Sequence, residues 1–73
     1  MIEVRFFATL REDRGKIVHV DAEDFNNGQD LIDHFKIDAA DVAIFLINGI
    51  HSKLDDEIKD NDIIAIFPPV GGG

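Results

Sequence analysis

Two short runs of the chain, residues 43–47 (AIFLI) and 63–67 (IIAIF), contain apolar residues only. They are short for buried helices, and their branched and aromatic side chains favour β-strands. Because successive side chains of a strand face opposite sides of a sheet, each run must place apolar residues on both faces. A sheet built around these strands therefore needs cover on both faces, or it leaves an apolar patch exposed.

The size of the chain limits how much cover is available. It has 73 residues and no cysteine. A chain of this length supports one domain with a small core. Neither a disulfide nor a thiolate metal site can stabilise it, so it must fold by packing alone.

The amino-terminal half of the sequence predicts a hairpin followed by a helix. Residues 2–7 (IEVRFF) alternate apolar and charged, which is typical of a half-buried strand, and residues 17–20 (IVHV) follow a polar turn. Asn26 or Asn27 can cap a helix of two or three turns. The apolar stripe of that helix comprises Leu31, Ile32 and Phe35.

The carboxyl-terminal half predicts three more strands. Asn48-Gly49 is the strongest turn signal in the chain, and it separates residues 43–47 from a brief return strand in residues 50–54. The last strand, residues 63–67, can pair in parallel with the first. We therefore expect an α+β fold, a mixed sheet of about four to five strands with one main helix across one face. This order is the β-grasp arrangement, of which ubiquitin is the familiar example.

A single helix covers only one face of such a sheet. We assign the following residues to the core under the helix: Val4, Phe6, Phe45, Ile47, Ile64 and Ile66. The opposite face would then present Phe7, Ile44, Leu46, Ala65 and Phe67. A shift of one residue in either strand would exchange the two sets. Exposed apolar patches mark partner sites, and we favour that interpretation over loops that partly cover the strands.

The charge of the chain limits its partners. The net charge is −8 and the pI about 4.5, which makes nucleic acid and anionic membrane poor partners. A protein partner would be expected to offer basic surface, although the charge could equally serve solubility alone. The first residues lack the apolar segment of a signal peptide, and no run approaches the ~20 apolar residues of a membrane span. We therefore expect a cytoplasmic location.

The sequence ends in an unusual tail, residues 68–73 (PPVGGG), after a body of residues 1–67. Pro68 and Pro69 favour an extended, stiff start, and six residues reach at most roughly 20 Å. The glycines present bare backbone without a Cβ and suit a narrow channel in another protein. The alternative is a frayed terminus.

Four segments together give the chain a resemblance to a known family: FFATLRE near the start, NG after the third strand, IKDNDIIAIFPPV, and the terminal Gly72-Gly73. The chain resembles the ThiS/MoaD family of ubiquitin-like sulfur carriers over nearly its whole length. FFATLRE and FPPV are more similar to the small subunit of molybdopterin synthase than to the thiamine-pathway carrier. The family commonly has glycine where this chain has Asn61, and Ala, Ser or Thr where it has Gly71.

The resemblance implies a function for the carboxyl terminus. An E1-like adenylating enzyme would use ATP to activate the carboxylate of Gly73, which would become a thiocarboxylate. The tail would then deliver sulfur to a pterin precursor on the large subunit of molybdopterin synthase. Gly72 and Gly73 are the implied functional residues, and no metal or cofactor is expected on the carrier itself. The expected partner-binding residues are Phe7, Ile44, Leu46, Phe67, Pro68, Pro69, Val70 and Gly71.

Other functions fit the sequence less well or equally well. Stand-alone catalysis is disfavoured, because there is no cysteine nucleophile or glycine-rich phosphate loop, and the three histidines lack metal-ligand spacing. A protein modifier that joins Gly73 to lysines would have the same tail, as would a thiamine-pathway carrier. A non-covalent ubiquitin-like binding module is a further alternative.

Overall fold

The computed structural model describes residues 1–69. Five strands and one α-helix follow one another in the predicted order. Their bounds are β1 Ile2–Phe6, β2 Ile17–Val20, α1 Gly28–His34, β3 Ile44–Ile47, β4 Ile50–His51 and β5 Ile63–Phe67. Single 3₁₀ turns lie at Ala8–Arg11, Ala22–Asp24 and Ala39–Asp41. Within residues 1–69, no helix has the length and apolar character to cross a membrane.

The strands form one mixed sheet in the order β2-β1-β5-β3-β4. β1 and β5 pair in parallel at its centre, and the pairs β1-β2, β3-β5 and β3-β4 are antiparallel. The parallel pair joins the first strand to the last, and the chain between them carries the helix, as a parallel crossover requires. The predicted α+β, ubiquitin-like β-grasp fold is confirmed.

Helix α1 covers one face of the sheet and creates a single core. The predicted division of the strands into two faces is correct. Phe45 on β3 lies opposite Ile66 on β5, and both are buried, whereas Ile47 is half-buried at the margin of the core. The buried apolar residues are Ile2, Val4, Phe6, Leu10, Phe25, Leu31, Ile32, Ile37, Phe45, Ile58, Ile64 and Ile66. Each such side chain contributes about 1.5–3 kcal/mol by leaving water.

Of the two candidate caps, Asn27 begins the helix. Its side-chain oxygen accepts a hydrogen bond from the Asp30 N–H at 3.0 Å, and the Asp30 carboxylate accepts one from the Asn26 N–H at 2.8 Å. This reciprocal arrangement satisfies two backbone donors at the helix start. The chain leaves the helix through Lys36, whose φ is 59°, and the Ile37 N–H donates to the Ile32 carbonyl at 2.8 Å.

Two asparagines adopt the left-handed conformation expected of turns. Asn48 and Gly49 have φ of 52° and 81°, so both central residues of the β3-β4 turn have positive φ, as a type I′ hairpin requires. Asn61 has φ of 72° in the turn before β5. Asparagine tolerates this region better than other residues with a Cβ, which explains how the turn forms without a glycine at this position.

Candidate functional site

The candidate site lies where β1 and β5 end side by side, at the point from which residues 68–73 leave the domain. Phe7 follows β1, and its N–H donates to the Ile66 carbonyl of β5 at 3.2 Å. The rings of Phe7 and Phe67 stack with centroids 4.1 Å apart and an interplanar angle of 8°. An aromatic pair of this kind contributes about 0.5–1.5 kcal/mol beyond its area burial. The root of the tail is therefore anchored by an aromatic stack.

The sheet register brings the other predicted residues to the same face. Ile44 lies opposite Phe67, and Leu46 lies opposite Ala65, all on the face away from the helix. Ile44 is 38% exposed, and the other three are half-buried. We call Phe7, Ile44, Leu46 and Phe67 the outer patch.

Ile63 is an apolar residue of this face that the sequence analysis did not assign. It is 39% exposed at the start of β5. The sequence was sufficient to place Ile63 on this face, because it alternates with Ala65 and Phe67 along β5 and alternate residues of one strand share a face.

An apolar groove of about 340 Å³ adjoins the outer patch at the root of the tail. Pro68 is half-buried in its wall, whereas Pro69 is exposed. The lining residues are Ala8, Thr9, Ala43, Ile44, Phe67, Pro68 and Pro69. Ala8, Thr9 and Ala43 were not predicted, because the groove forms only when the 3₁₀ turn after β1 lies beside the end of β5. Ala8 has a positive φ of 54°, and nothing in the sequence predicts this backbone conformation for an alanine.

Four of the predicted site residues, Val70, Gly71, Gly72 and Gly73, lie outside the described residues. Their roles stay predictions. The described part of the tail, Pro68 and Pro69, continues directly from β5 beside the outer patch.

Charged side chains occupy the other half of the same face, on β1 and β2. The Arg5 Nε donates to the Glu3 carboxylate at 2.6 Å, and the His19 Nε2 lies 3.3 Å from its other oxygen. The hydrogen bond from Arg5 is the main cause that lowers the pKa of the Glu3 carboxyl below its ordinary value. The outer face thus has an apolar half on β3 and β5, whereas its β1 and β2 half carries the Glu3, Arg5 and His19 side chains beside the exposed Ile17.

Residues 4–73 match the sequence model of the ThiS family. The chain belongs to the ThiS family. The match covers nearly the whole length of the chain and confirms the resemblance seen in its motifs. A search of curated proteins found no match.

Solved structures resemble this chain over most of its length. SAMP1 of Haloferax volcanii is 26% identical with a TM-score of 0.76, covering 99% of this chain and 98% of that one. A Pyrococcus furiosus protein assigned as subunit 1 of molybdopterin converting factor is 25% identical with a TM-score of 0.73, covering 94% and 97%. A chain from the Helicobacter pylori complex of molybdopterin-converting factor subunits 1 and 2 is 24% identical, covers 99% and 97%, and has a TM-score of 0.65. This last likeness concerns the fold alone.

The family and the fold together establish the general class. The chain is a ubiquitin-like sulfur carrier of the ThiS/MoaD type. Small carriers of this type are not themselves enzymes.

Proposed function

We propose that this member of the ThiS family is the small, sulfur-donating subunit of molybdopterin synthase. The observation that carries the proposal is the Phe7-Phe67 stack, which places an apolar patch directly beside the root of the tail. A partner that covers this patch would hold the tail within about 20 Å of its own active site. The FPPV motif before the final glycines and the likeness to the Pyrococcus furiosus protein support this pathway.

The separate roles of the carrier and its partner enzymes follow from the chemistry of a terminal carboxylate. The Gly73 carboxylate is a poor electrophile, because its negative charge repels nucleophiles. An E1-like enzyme would join a carboxylate oxygen to the α-phosphorus of ATP and release pyrophosphate. Sulfide would then displace AMP from the acyl-adenylate and leave a thiocarboxylate. In this proposal residues 1–67 are the docking body, residues 68–73 are the arm, and the partners supply ATP and acid–base groups.

Docking would use the outer patch together with the groove around Pro68. The partner-binding residues in this proposal are Phe7, Ile44, Leu46, Phe67, Pro68, Pro69, Val70 and Gly71, with Gly72 and Gly73 entering the active site. An aromatic centre with a polar surround is a common composition for a protein interface. The large subunit and the activating enzyme would bind the same patch in turn.

The likeness to SAMP1, named small archaeal modifier protein 1, favours a second candidate function. A protein modifier would use the same activated Gly73, but a lysine amine would displace AMP and form an isopeptide bond. Both functions need the same tail and the same activation step, and they differ in the nucleophile.

Mass spectrometry of the protein from its own cells separates the two functions. We expect the intact chain to gain the mass difference between sulfur and oxygen at Gly73. The purified thiocarboxylate, mixed with the large subunit and a pterin precursor, should lose that sulfur as the dithiolene forms. Deletion of Gly73 should abolish both events without unfolding the domain. Branched Gly-Gly remnants on cellular lysines, with no thiocarboxylate, would favour the modifier instead.

The outer patch has its own test in Phe67→Asp. We expect this variant to stay folded and to bind the large subunit about 30-fold more weakly, the effect of a 2 kcal/mol hot spot. Ile63→Asp is the matched control, since it also replaces an apolar side chain by aspartate, at the far end of β5 on the same face. Circular dichroism checks folding, and calorimetry measures affinity. Equal affinities of the two variants would contradict the assignment of the patch.

A further inference from the structure

A second groove lies on the outer face where β1 meets β2, on the other side of Phe7 from the tail. Its volume is about 210 Å³, and its lining residues are Arg5, Phe6, Phe7, Arg11, Lys16 and Ile17. Three of these six carry positive charge, and none is acidic, although the chain contains 15 Asp and Glu residues against 7 Lys and Arg. Within residues 1–69, this is a local reversal of the charge of the whole molecule.

Arg11 lies at the wall of this groove, with contacts to Phe6 and Phe7. Its Nε donates to the Phe6 carbonyl at 3.1 Å, and its Cζ lies 5.6 Å from the centroid of the Phe7 ring. In the part of the chain that the structure describes, no carboxylate forms an ion pair with its guanidinium. The two terminal nitrogens of Arg11 therefore remain available as a fork of donors, which is the geometry that binds a carboxylate.

The opposite wall is formed by the start of β2. The Phe6 N–H donates to the Lys16 carbonyl at 2.9 Å, which fixes the backbone beside the groove. Ile17 lies opposite Arg5 in the sheet and is 52% exposed. Arg5 shares its charge with Glu3 through the 2.6 Å hydrogen bond, so Arg11 and Lys16 are the two cations available to a ligand.

We propose that this groove, which we call the basic groove, binds an acidic side chain of the protein that docks on the outer patch. The proposal rests on the proposed function, because Phe7 belongs to both surfaces and one partner would cover both. Once a partner covers the groove, the apolar side chains of Phe7 and Ile17 would reduce the access of water to an ion pair there and so strengthen it. The partner segment would carry a carboxylate next to an apolar residue.

The proposal refines what the net charge alone predicts. A charge of −8 predicts a basic partner surface, and around the rest of the domain that expectation stands. At the basic groove, by contrast, the partner is expected to carry a negative charge. A partner with a carboxylate inside a basic surround would match this chain in one orientation only, because like charges placed together are unfavourable. The groove would thus fix the direction in which the tail enters the partner.

Charge reversal at Lys16 tests the proposal. Lys16→Glu should weaken binding to the large subunit or to the activating enzyme about 10-fold, whereas Lys53→Glu, which makes the same change outside the groove, should weaken it less than about 2-fold. Raising the ionic strength from about 0.05 M to about 0.5 M should reduce the difference between the two variants. Arg11→Glu should resemble Lys16→Glu, but it also removes the hydrogen bond to Phe6, so Lys16 is the cleaner position.

A carbodiimide cross-link identifies the partner group directly, since it joins a lysine amine to a carboxylate in contact with it. In the docked complex we expect a cross-linked peptide that contains Lys16 and an Asp or Glu of the partner. Lys16→Arg is the matched control, because it keeps the charge but has no amine to acylate. This variant should lose the cross-link and bind within about 2-fold of the wild type.

Three results would overturn the proposal. The first is equal affinity of Lys16→Glu and Lys53→Glu in a complex that Phe67→Asp disrupts, which would leave the proposed function intact. The second is displacement of the partner by millimolar inorganic phosphate together with the absence of the cross-link, which would make the groove a site for small anions. The third is failure of the wild-type protein to bind either partner, which would remove the proposed function as well.

Discussion

A single residue, Gly28, determines how closely the helix approaches the sheet. A Cβ at this position would overlap the Phe45 ring, whose Cε atoms would lie 2.9 Å from it. Phe45 is 4% exposed and lies on β3. Because Gly28 has no side chain, the first turn of α1 can pack directly against this ring of the sheet. The sequence presents Gly28 only as the residue after a helix cap. Its packing role depends on Phe45, a residue distant in the chain.

We predict that Gly28→Ala destabilises the protein by about 1–3 kcal/mol, as overpacking does in other cores. Helix propensity alone predicts the opposite sign, a gain of up to about 1 kcal/mol. Urea unfolding measures the difference. Phe45→Leu, combined with Gly28→Ala, should restore part of the loss, so that the double variant is less destabilised than the sum of the two single variants. An alanine variant as stable as the wild type would show that the helix can move away at no cost.

At the scale of elements, one residue, Asn48, connects the β3-β4 turn to the start of β5 through hydrogen bonds. The Asn48 N–H donates to the Ile63 carbonyl at 2.8 Å. Its side-chain nitrogen donates to the Asp62 carboxylate at 2.9 Å, and its side-chain oxygen accepts from the Ile63 N–H at 2.9 Å. The hairpin and the central strand are therefore held together at the end of the sheet opposite the tail.

Asn48→Gly separates these side-chain hydrogen bonds from the backbone conformation. Glycine adopts the required positive φ, so the turn should form, but two hydrogen bonds are lost at a cost of about 1–2 kcal/mol in the free energy of unfolding. Asn61→Gly is the matched control, because Asn61 has φ of 72° and its side chain makes no hydrogen bond within residues 1–69. We expect the control to change stability by less than about 0.5 kcal/mol. Equal losses in both variants would assign the effect to backbone entropy.

The sequence predicts the elements well because their signals are local. Alternation of apolar and charged residues located β1, an unbroken apolar run located β5, and the Asn48-Gly49 pair located the hairpin turn. Both faces of the sheet followed from parity. The 3₁₀ turn Ala8–Arg11 was not predicted, nor was the position of Arg11 over Phe7. Both depend on contacts between strands that the chain brings together only after folding. The two grooves beside Phe7 were missed for the same reason.

At the scale of the whole molecule, the average charge hides an uneven distribution. The chain carries −8, yet the lining of the basic groove has no acidic residue within residues 1–69. Composition therefore predicts the behaviour of the molecule at long range, such as repulsion from nucleic acid, but not the chemistry of one docking surface. The alternation of side chains along a strand predicts the position of the outer patch. The positive charge of the adjacent basic groove can be recognised only from the folded structure.

The difference between average charge and local charge also determines how the stability of the protein responds to acid. With a net charge of −8, protonation of most carboxylates relieves repulsion within the domain. Glu3 acts in the opposite direction. The hydrogen bond from Arg5 lowers its pKa in the folded state below the ordinary value of 4.5. Its stabilising contribution is therefore present above the unfolded-state pKa and is lost as the pH falls through the lower, folded-state pKa.

We predict that Glu3→Gln is less stable than the wild type at pH 7 and that the difference shrinks as the pH falls from the unfolded-state pKa of Glu3 through its lowered folded-state pKa. The neutral side chain cannot pair with Arg5 at any pH, so only the wild type loses stability through this pair on acidification. Urea unfolding at intervals between about pH 3 and pH 7 measures the two curves. Glu12→Gln is the matched control, because it removes the same charge from an exposed position whose side chain makes no ion pair within residues 1–69. Parallel curves for the two variants would mean that total charge, and not the Arg5-Glu3 pair, determines the acid response.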